Sequence, residues 1–143
     1  MIAIDSNVWI YYCDSTTPEH ERVREMVRSA LERGRVLVNA VVPLEVTHYL
    51  TKRRKPDGQS RFEEACLRTE NVVVEALGER DVVGSRRLLH EHDATGIGGR
   101  DASLVATMET RNVAELWTHD GGLERLGDAL DWLTVVDPVT AGS

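Results

Sequence analysis

Short apolar runs alternate with amphipathic stretches along this chain, and that alternation restricts its fold more than any other feature. Ile2-Ala3-Ile4, Val36-Leu37-Val38, Val72-Val73-Val74, Leu116-Trp117-Thr118 and Leu133-Thr134-Val135-Val136 are brief, apolar and largely β-branched, the character of strands buried on both faces. Between the first two, Val23, Met26, Val27, Ala30 and Leu31 recur at helical spacing among charged residues until Gly34 stops them, which predicts an amphipathic helix. Asp5-Ser6-Asn7 opens a helix directly after the first strand. Pro43 opens another, with Leu44, Val46 and Leu50 as its apolar positions and Pro56 as its end, and residues 61–68, 81–92 and 101–110 read as further helices. Strand followed by helix, repeated, predicts an α/β fold with a mostly parallel central sheet of about five strands flanked by helices. The domain runs from residue 1 to 137, and 138–143 reads as a flexible tail.

A chain of 143 residues can bury a core without staples. Two cysteines, Cys13 and Cys66, are too few for a disulfide framework and too far apart for a metal half-site, so they read as reduced thiols of a cytoplasmic protein. The N-terminus lacks the basic and long apolar regions of a secretory signal. The longest apolar candidate, residues 36–46, is broken by Asn39, Pro43 and Glu45, so no membrane span is expected. With 24 acidic against 17 basic residues the net charge is −7, which argues against coating nucleic acid by bulk charge while leaving room for a basic patch beside an acidic centre.

Helices that follow strands in a parallel sheet begin at its carboxyl edge, where ligands characteristically bind. Asp5 and Asp120 each directly follow a strand, and Glu45 and Asp101 each lie near a helix start. Taken singly, each is explained by capping or by the helix dipole, and Asp120-Gly121-Gly122 also suits a turn. Convergence is another matter: two carboxylates about 5 Å apart repel by roughly 3 kcal/mol at an effective dielectric of 20. Four together require a cation, and an all-oxygen donor set favours Mg²⁺ or Mn²⁺ over Zn²⁺.

Taken in order, these segments resemble the PIN-domain ribonucleases, and among them the VapC-type toxins of prokaryotic toxin–antitoxin pairs. The family's opening strand, ending in Asp, then Ser or Thr, then Asn, is matched by Ile4-Asp5-Ser6-Asn7-Val8-Trp9-Ile10. Its Glu early in a helix is matched by Pro43-Leu44-Glu45-Val46, its Asp-Ala segment by Asp101-Ala102-Ser103-Leu104-Val105-Ala106, and its final Thr-x-Asp by Thr118-His119-Asp120. Two places depart from the pattern. Gly121-Gly122-Leu123 stands where a polar residue and an aromatic are usual, and Gly96-Ile97-Gly98-Gly99-Arg100 is unusually rich in glycine.

The resemblance implies a single PIN-like domain that hydrolyses RNA phosphodiester bonds with Mg²⁺, leaving 5′-phosphate and 3′-hydroxyl ends. Asp5 and Asp101 are its expected leading metal ligands, with Glu45 and Asp120 completing the site and Ser6, Asn7 and Thr118 in support. It also implies a cognate antitoxin and a homodimer. Lys52-Arg53-Arg54-Lys55 is the densest basic run, and Lys52 lies seven residues, about 10.5 Å, beyond Glu45 on one helix face; Lys52, Arg53, Arg54 and Arg100 are the candidate RNA contacts. The alternative is a non-catalytic PIN-like module for RNA binding or assembly. A phosphoacceptor receiver would need an acidic pair at the first strand, and a DxD phosphatase would need Asp at position 7, which is Asn7. His90-Glu91-His92-Asp93 reads as surface, since positions two apart on a helix do not face each other. His119 reads as a bystander, and Trp9, Tyr11 and Tyr12 as core.

Overall fold

The computed structural model describes residues 1–141. Five strands, β1 (Ile2–Ile4), β2 (Val36–Asn39), β3 (Val72–Glu75), β4 (Glu115–Trp117) and β5 (Thr134–Val136), form one sheet in the order β3-β2-β1-β4-β5. Every pairing is parallel, with Ile2 opposite both Val36 and Glu115. The chain lays β1, β2 and β3 outward in one direction, then returns past β1 to add β4 and β5. The winding therefore reverses between β1 and β4, and an open α/β sheet offers its ligand crevice at the carboxyl ends of such a junction. Ala3, Ile4, Val36, Val38 and Leu116 are completely buried, as expected of strands covered on both faces.

Among the described residues eight α-helices flank the sheet: α1 (Ser6–Cys13), α2 (His20–Arg33), α3 (Val41–Lys52), α4 (Pro56–Phe62), α5 (Glu79–Glu91), α6 (Gly99–Thr110), α7 (Gly121–Ala129) and α8 (Pro138–Ala141). Trp9 of α1 stands edge-on to Phe62 of α4, centroids 5.6 Å apart, and both are buried, so Trp9 is core as expected. Cys13 and Cys66 are free, and burial pushes both thiols up to about 12, where they stay protonated and unreactive. A buried polar link ties β2 to α6: Asn39 Nδ2 donates to Ser103 Oγ at 3.1 Å, and Ser103 Oγ donates to the Arg100 carbonyl at 2.7 Å.

The structure redraws several sequence-based boundaries. α3 starts at Val41, not Pro43, because Asn39 Oδ1 accepts the Val41 amide at 3.1 Å. Its buried positions are Val42, Val46 and Leu50, four apart, whereas Leu44 is 72 % exposed; Leu44 and Val46, two apart, cannot share a helix face. α3 ends at Lys52, Arg54 turns left-handed at φ 56°, and Pro56 opens α4. The helix expected over 61–68 is the end of α4 followed by a π-helical turn, Glu63–Leu67. α7 is a helix the sequence does not predict. The expected tail begins instead with the single turn α8, whose Pro138 is buried and which packs on α2; residues 142 and 143 lie outside the described part. Among the described residues no helix is long and apolar enough to cross a membrane.

Candidate active site

Asp5 ends β1 and caps α1, and only 6 % of it is exposed. Its Oδ1 accepts the Ser6 amide at 2.8 Å and its Oδ2 accepts the Thr118 hydroxyl at 2.8 Å. Burial pushes this carboxyl up to about 6; the Thr118 and Ser6 hydrogen bonds oppose the shift, and repulsion from Asp101 and Glu45 adds to it. Thr118, completely buried after β4, also accepts the Asp120 amide at 3.1 Å on Oγ1. One hydroxyl thus joins the ends of β1 and β4 across the reversal in the sheet.

Ser6 makes the second connection, its Oγ donating to Glu45 Oε1 at 3.1 Å. Glu45 Oε2 is held by Arg100 Nη1, also at 3.1 Å. Asp101, in the first turn of α6, is pushed upward by its own burial and by Asp120 and Glu45, with the Gly98 amide and Arg100 offsetting part of the rise. Asp120 caps α7, its Oδ2 accepting the Leu123 amide at 3.1 Å. The four predicted acids therefore share one electrostatic neighbourhood. Among the described residues, however, no three acid, thiol or imidazole side chains are gathered closely enough to hold a metal as they stand. Glu45 is engaged by Ser6 and Arg100, and Asp120 by the Leu123 amide of its helix. The donors are all hard oxygens, the chemistry that suits Mg²⁺ or Mn²⁺.

From this centre a groove of about 620 Å³ runs along α3, bordered by Ser6, Asn7, Glu45, His48, Lys52 and Arg100. Arg53 also borders it, its guanidinium 4.8 Å from the centre of the Tyr49 ring. Arg54 is not part of it: the left-handed turn carries this side chain to a separate cavity shared with Asp14, Lys55 and Arg61. Of the supporting residues, Asn7 lies on the groove, and its Oδ1 accepts the His119 amide at 3.5 Å.

Sequence reasoning overlooked His48, although its place three residues beyond Glu45 on one helix was signal enough. It also overlooked Asp137, whose carboxylate accepts from His119 Nδ1 at 2.8 Å. That partner comes from beyond β5, so His119 is anchored and not a free bystander.

A family profile described as PIN domain matches residues 2–129. The chain belongs to the PIN domain family. Similar relatives include ribonuclease VapC23 of Mycobacterium tuberculosis, 28 % identical over 122 residues, 84 % of this chain and 93 % of the relative. Ribonuclease VapC13 of the same organism is 26 % identical over 126 residues, 87 % of this chain and 93 % of that one. Among solved structures, the M. tuberculosis toxin VapC20, described as cleaving the sarcin–ricin loop, superposes with a TM-score of 0.77 at 18 % identity, over 89 % of this chain and 95 % of that one. VapBC2 of Rickettsia felis, bound to a promoter DNA fragment, gives 0.70 at 15 % identity, over 96 % and 98 %. At such identities these likenesses bear on fold, and they agree with the five-stranded parallel sheet of this PIN domain.

Proposed function

We propose that this PIN domain is a metal-dependent endoribonuclease that acts in the cytoplasm as the toxin of a toxin–antitoxin pair. The observation that carries the reading is the acid centre at the β1/β4 junction, where Thr118 and Ser6 hold Asp5 and Glu45 in register, in a chain whose named relatives are ribonucleases. Asp5, Glu45, Asp101 and Asp120 are the ligand set for Mg²⁺, with Mn²⁺ able to replace it. The bound ion would activate water and neutralise charge developing on the scissile phosphate.

The chain's own residues do the rest. Thr118 orients Asp5 with a hydrogen bond that favours its ionised form, and Ser6 sets the Glu45 carboxylate beside it. Asn7 holds the His119 loop, and with it the approach to Asp120. Lys52 and Arg53 receive phosphates that flank the cleaved bond, supplying locally the positive charge that a protein at −7 lacks overall. A small antitoxin would block the groove, an Arg or Lys entering the acid centre and an apolar segment covering its flank. The toxin itself works as a homodimer.

Incubation of the purified chain with RNA tests the central reading. Cleavage should require Mg²⁺ or Mn²⁺, stop with chelator, and leave 5′-phosphate and 3′-hydroxyl ends. Binding of RNA with no cleavage in either metal would identify a non-catalytic RNA-binding module instead.

A further inference from the structure

Arg100 is placed where ordinary helix energetics would not put a cation. It lies in the first turn of α6, where aligned peptide dipoles present positive potential and favour acids. What holds it there is the acid centre: its Nη1 is 3.1 Å from Glu45 Oε2, and it lowers Asp101 against the repulsion of Asp120 and Glu45. The contact can be surrendered from the Arg100 side, because its side chain is 73 % exposed against 23 % for Glu45, and a largely solvated guanidinium loses little on leaving its partner. The backbone before it is open as well, since a Cβ at Gly98 or Gly99 would meet nothing within 4 Å. Arg100 also borders the groove that continues to Lys52 and Arg53, so its guanidinium touches the Glu45 carboxylate and lines the same groove as the cations assigned to phosphate. The guanidinium fork suits either anion.

We propose that Arg100 is an exchangeable counter-ion of the acid centre. It neutralises Glu45 in the metal-free chain and passes to a phosphate of the RNA when a divalent cation takes Glu45. The inference rests on the proposed nuclease site and adds an internal competitor to it, so that metal binding and substrate binding are coupled through one side chain. Removing Arg100 then has opposite effects on the two ligands, which a residue that merely stabilised α6 would not produce.

Two measurements read this out. Calorimetric titration of the RNA-free protein with Mn²⁺ should show Arg100→Gln binding the ion about threefold more tightly than wild type, the size expected for loss of an exposed competing pair. The same variant should have a KM for RNA raised about tenfold, a larger change than any fall in kcat. Arg100→Lys, which keeps the charge without the fork, should bind Mn²⁺ like wild type and recover part of the KM. Mn²⁺ affinity and KM both unmoved in Arg100→Gln would overturn the inference alone. A wild-type chain that binds no Mn²⁺ would overturn the proposed site, and this inference with it.

Discussion

Helix α1 has a buried aspartate at each end, and the two have opposite fates. Asp5 caps its N-terminus at 6 % exposure and Asp14 closes its C-terminus at 3 %, so desolvation works against ionisation at both. At Asp14 burial is overcome: the Thr16 hydroxyl and amide donate to Oδ1, Tyr49 donates to Oδ2, and Lys55 Nζ lies 3.6 Å away, so its carboxyl is held below the usual range. At Asp5 two donors are outweighed by burial and by the acids around it, and the carboxyl rises to about 6. Similar surface exposure thus yields a settled structural anion at one end and an unsettled one at the other. The difference lies in depth and in the neighbours: Asp5 is set deep in the protein among other acids, whereas Asp14 lies shallow beside Lys55 and three donors, and uncompensated charge of the first kind is characteristic of functional sites.

The sharpest way to break the comparison is to remove charge without removing the cap. Asn caps a helix about as well as Asp, so Asp5→Asn and Asp101→Asn should keep the helix starts. RNA cleavage should fall by orders of magnitude in each, while the melting temperature of the metal-free protein holds or rises. Full Mg²⁺-dependent cleavage by both variants would falsify the assignment of these acids. At the other end of α1 the outcome reverses: Asp14→Ala strands Tyr49, Thr16 and Lys55 and should cost about 3 kcal/mol in denaturant unfolding. Its cleavage rate per folded molecule should stay at the wild-type level.

Stability against pH should separate the same two residues in one titration. Asp5 has a folded pKa of about 6 against 3.8 for the free side chain. Its contribution is therefore fully present below pH 3.8 and is lost as pH rises through 6, by about 3 kcal/mol at most. Asp14, held below 3.8, contributes above that pH and loses its contribution as pH falls further. Denaturant unfolding of metal-free Asp5→Asn against wild type should show an advantage for the variant that grows between pH 4 and 7. A constant difference across that window would reject the burial argument.

Much of this contrast was legible in the sequence at Asp5 and none of it at Asp14. The strands were legible because they are short, largely β-branched and mostly apolar, and the acids because each sits at a strand end or helix start in family order. Nothing in Cys13-Asp14-Ser15-Thr16 marks it, since Tyr49 and Lys55 reach Asp14 only once α3 and the loop after it fold back over α1. The Arg100–Glu45 pair was hidden for the same reason, being a tertiary contact between two helix starts. α7 was missed because Gly121, Gly122 and Gly127 depress helix propensity. Packing overrides that cost: Leu123 and Leu126 are completely buried, and a Cβ at Gly122 would lie 3.1 Å from Asp120 Oδ2 and 3.2 Å from the Thr95 carbonyl oxygen, so a larger residue there would push these neighbours aside. The same close approach favours glycine at 122, one of the positions that depart from the usual family pattern after Asp120.

The smallest effect tests the link between the two sides of the sheet reversal. Thr118→Val preserves shape in a completely buried position but removes the hydroxyl that donates to Asp5 and accepts from the Asp120 amide. Losing a donor to the ionised form should move the Asp5 carboxyl above its present value of about 6. Cleavage should then fall by about tenfold, the scale of removing a residue that orients a ligand. The loss should be larger at pH 6 than at pH 8, because higher pH restores the anion that the hydroxyl no longer favours. Thr118→Ser, which keeps the hydroxyl, should recover most of the activity at both. A uniform loss across pH would mean that Thr118 only packs the junction, and Asp5 would then be held by burial and the Ser6 amide alone.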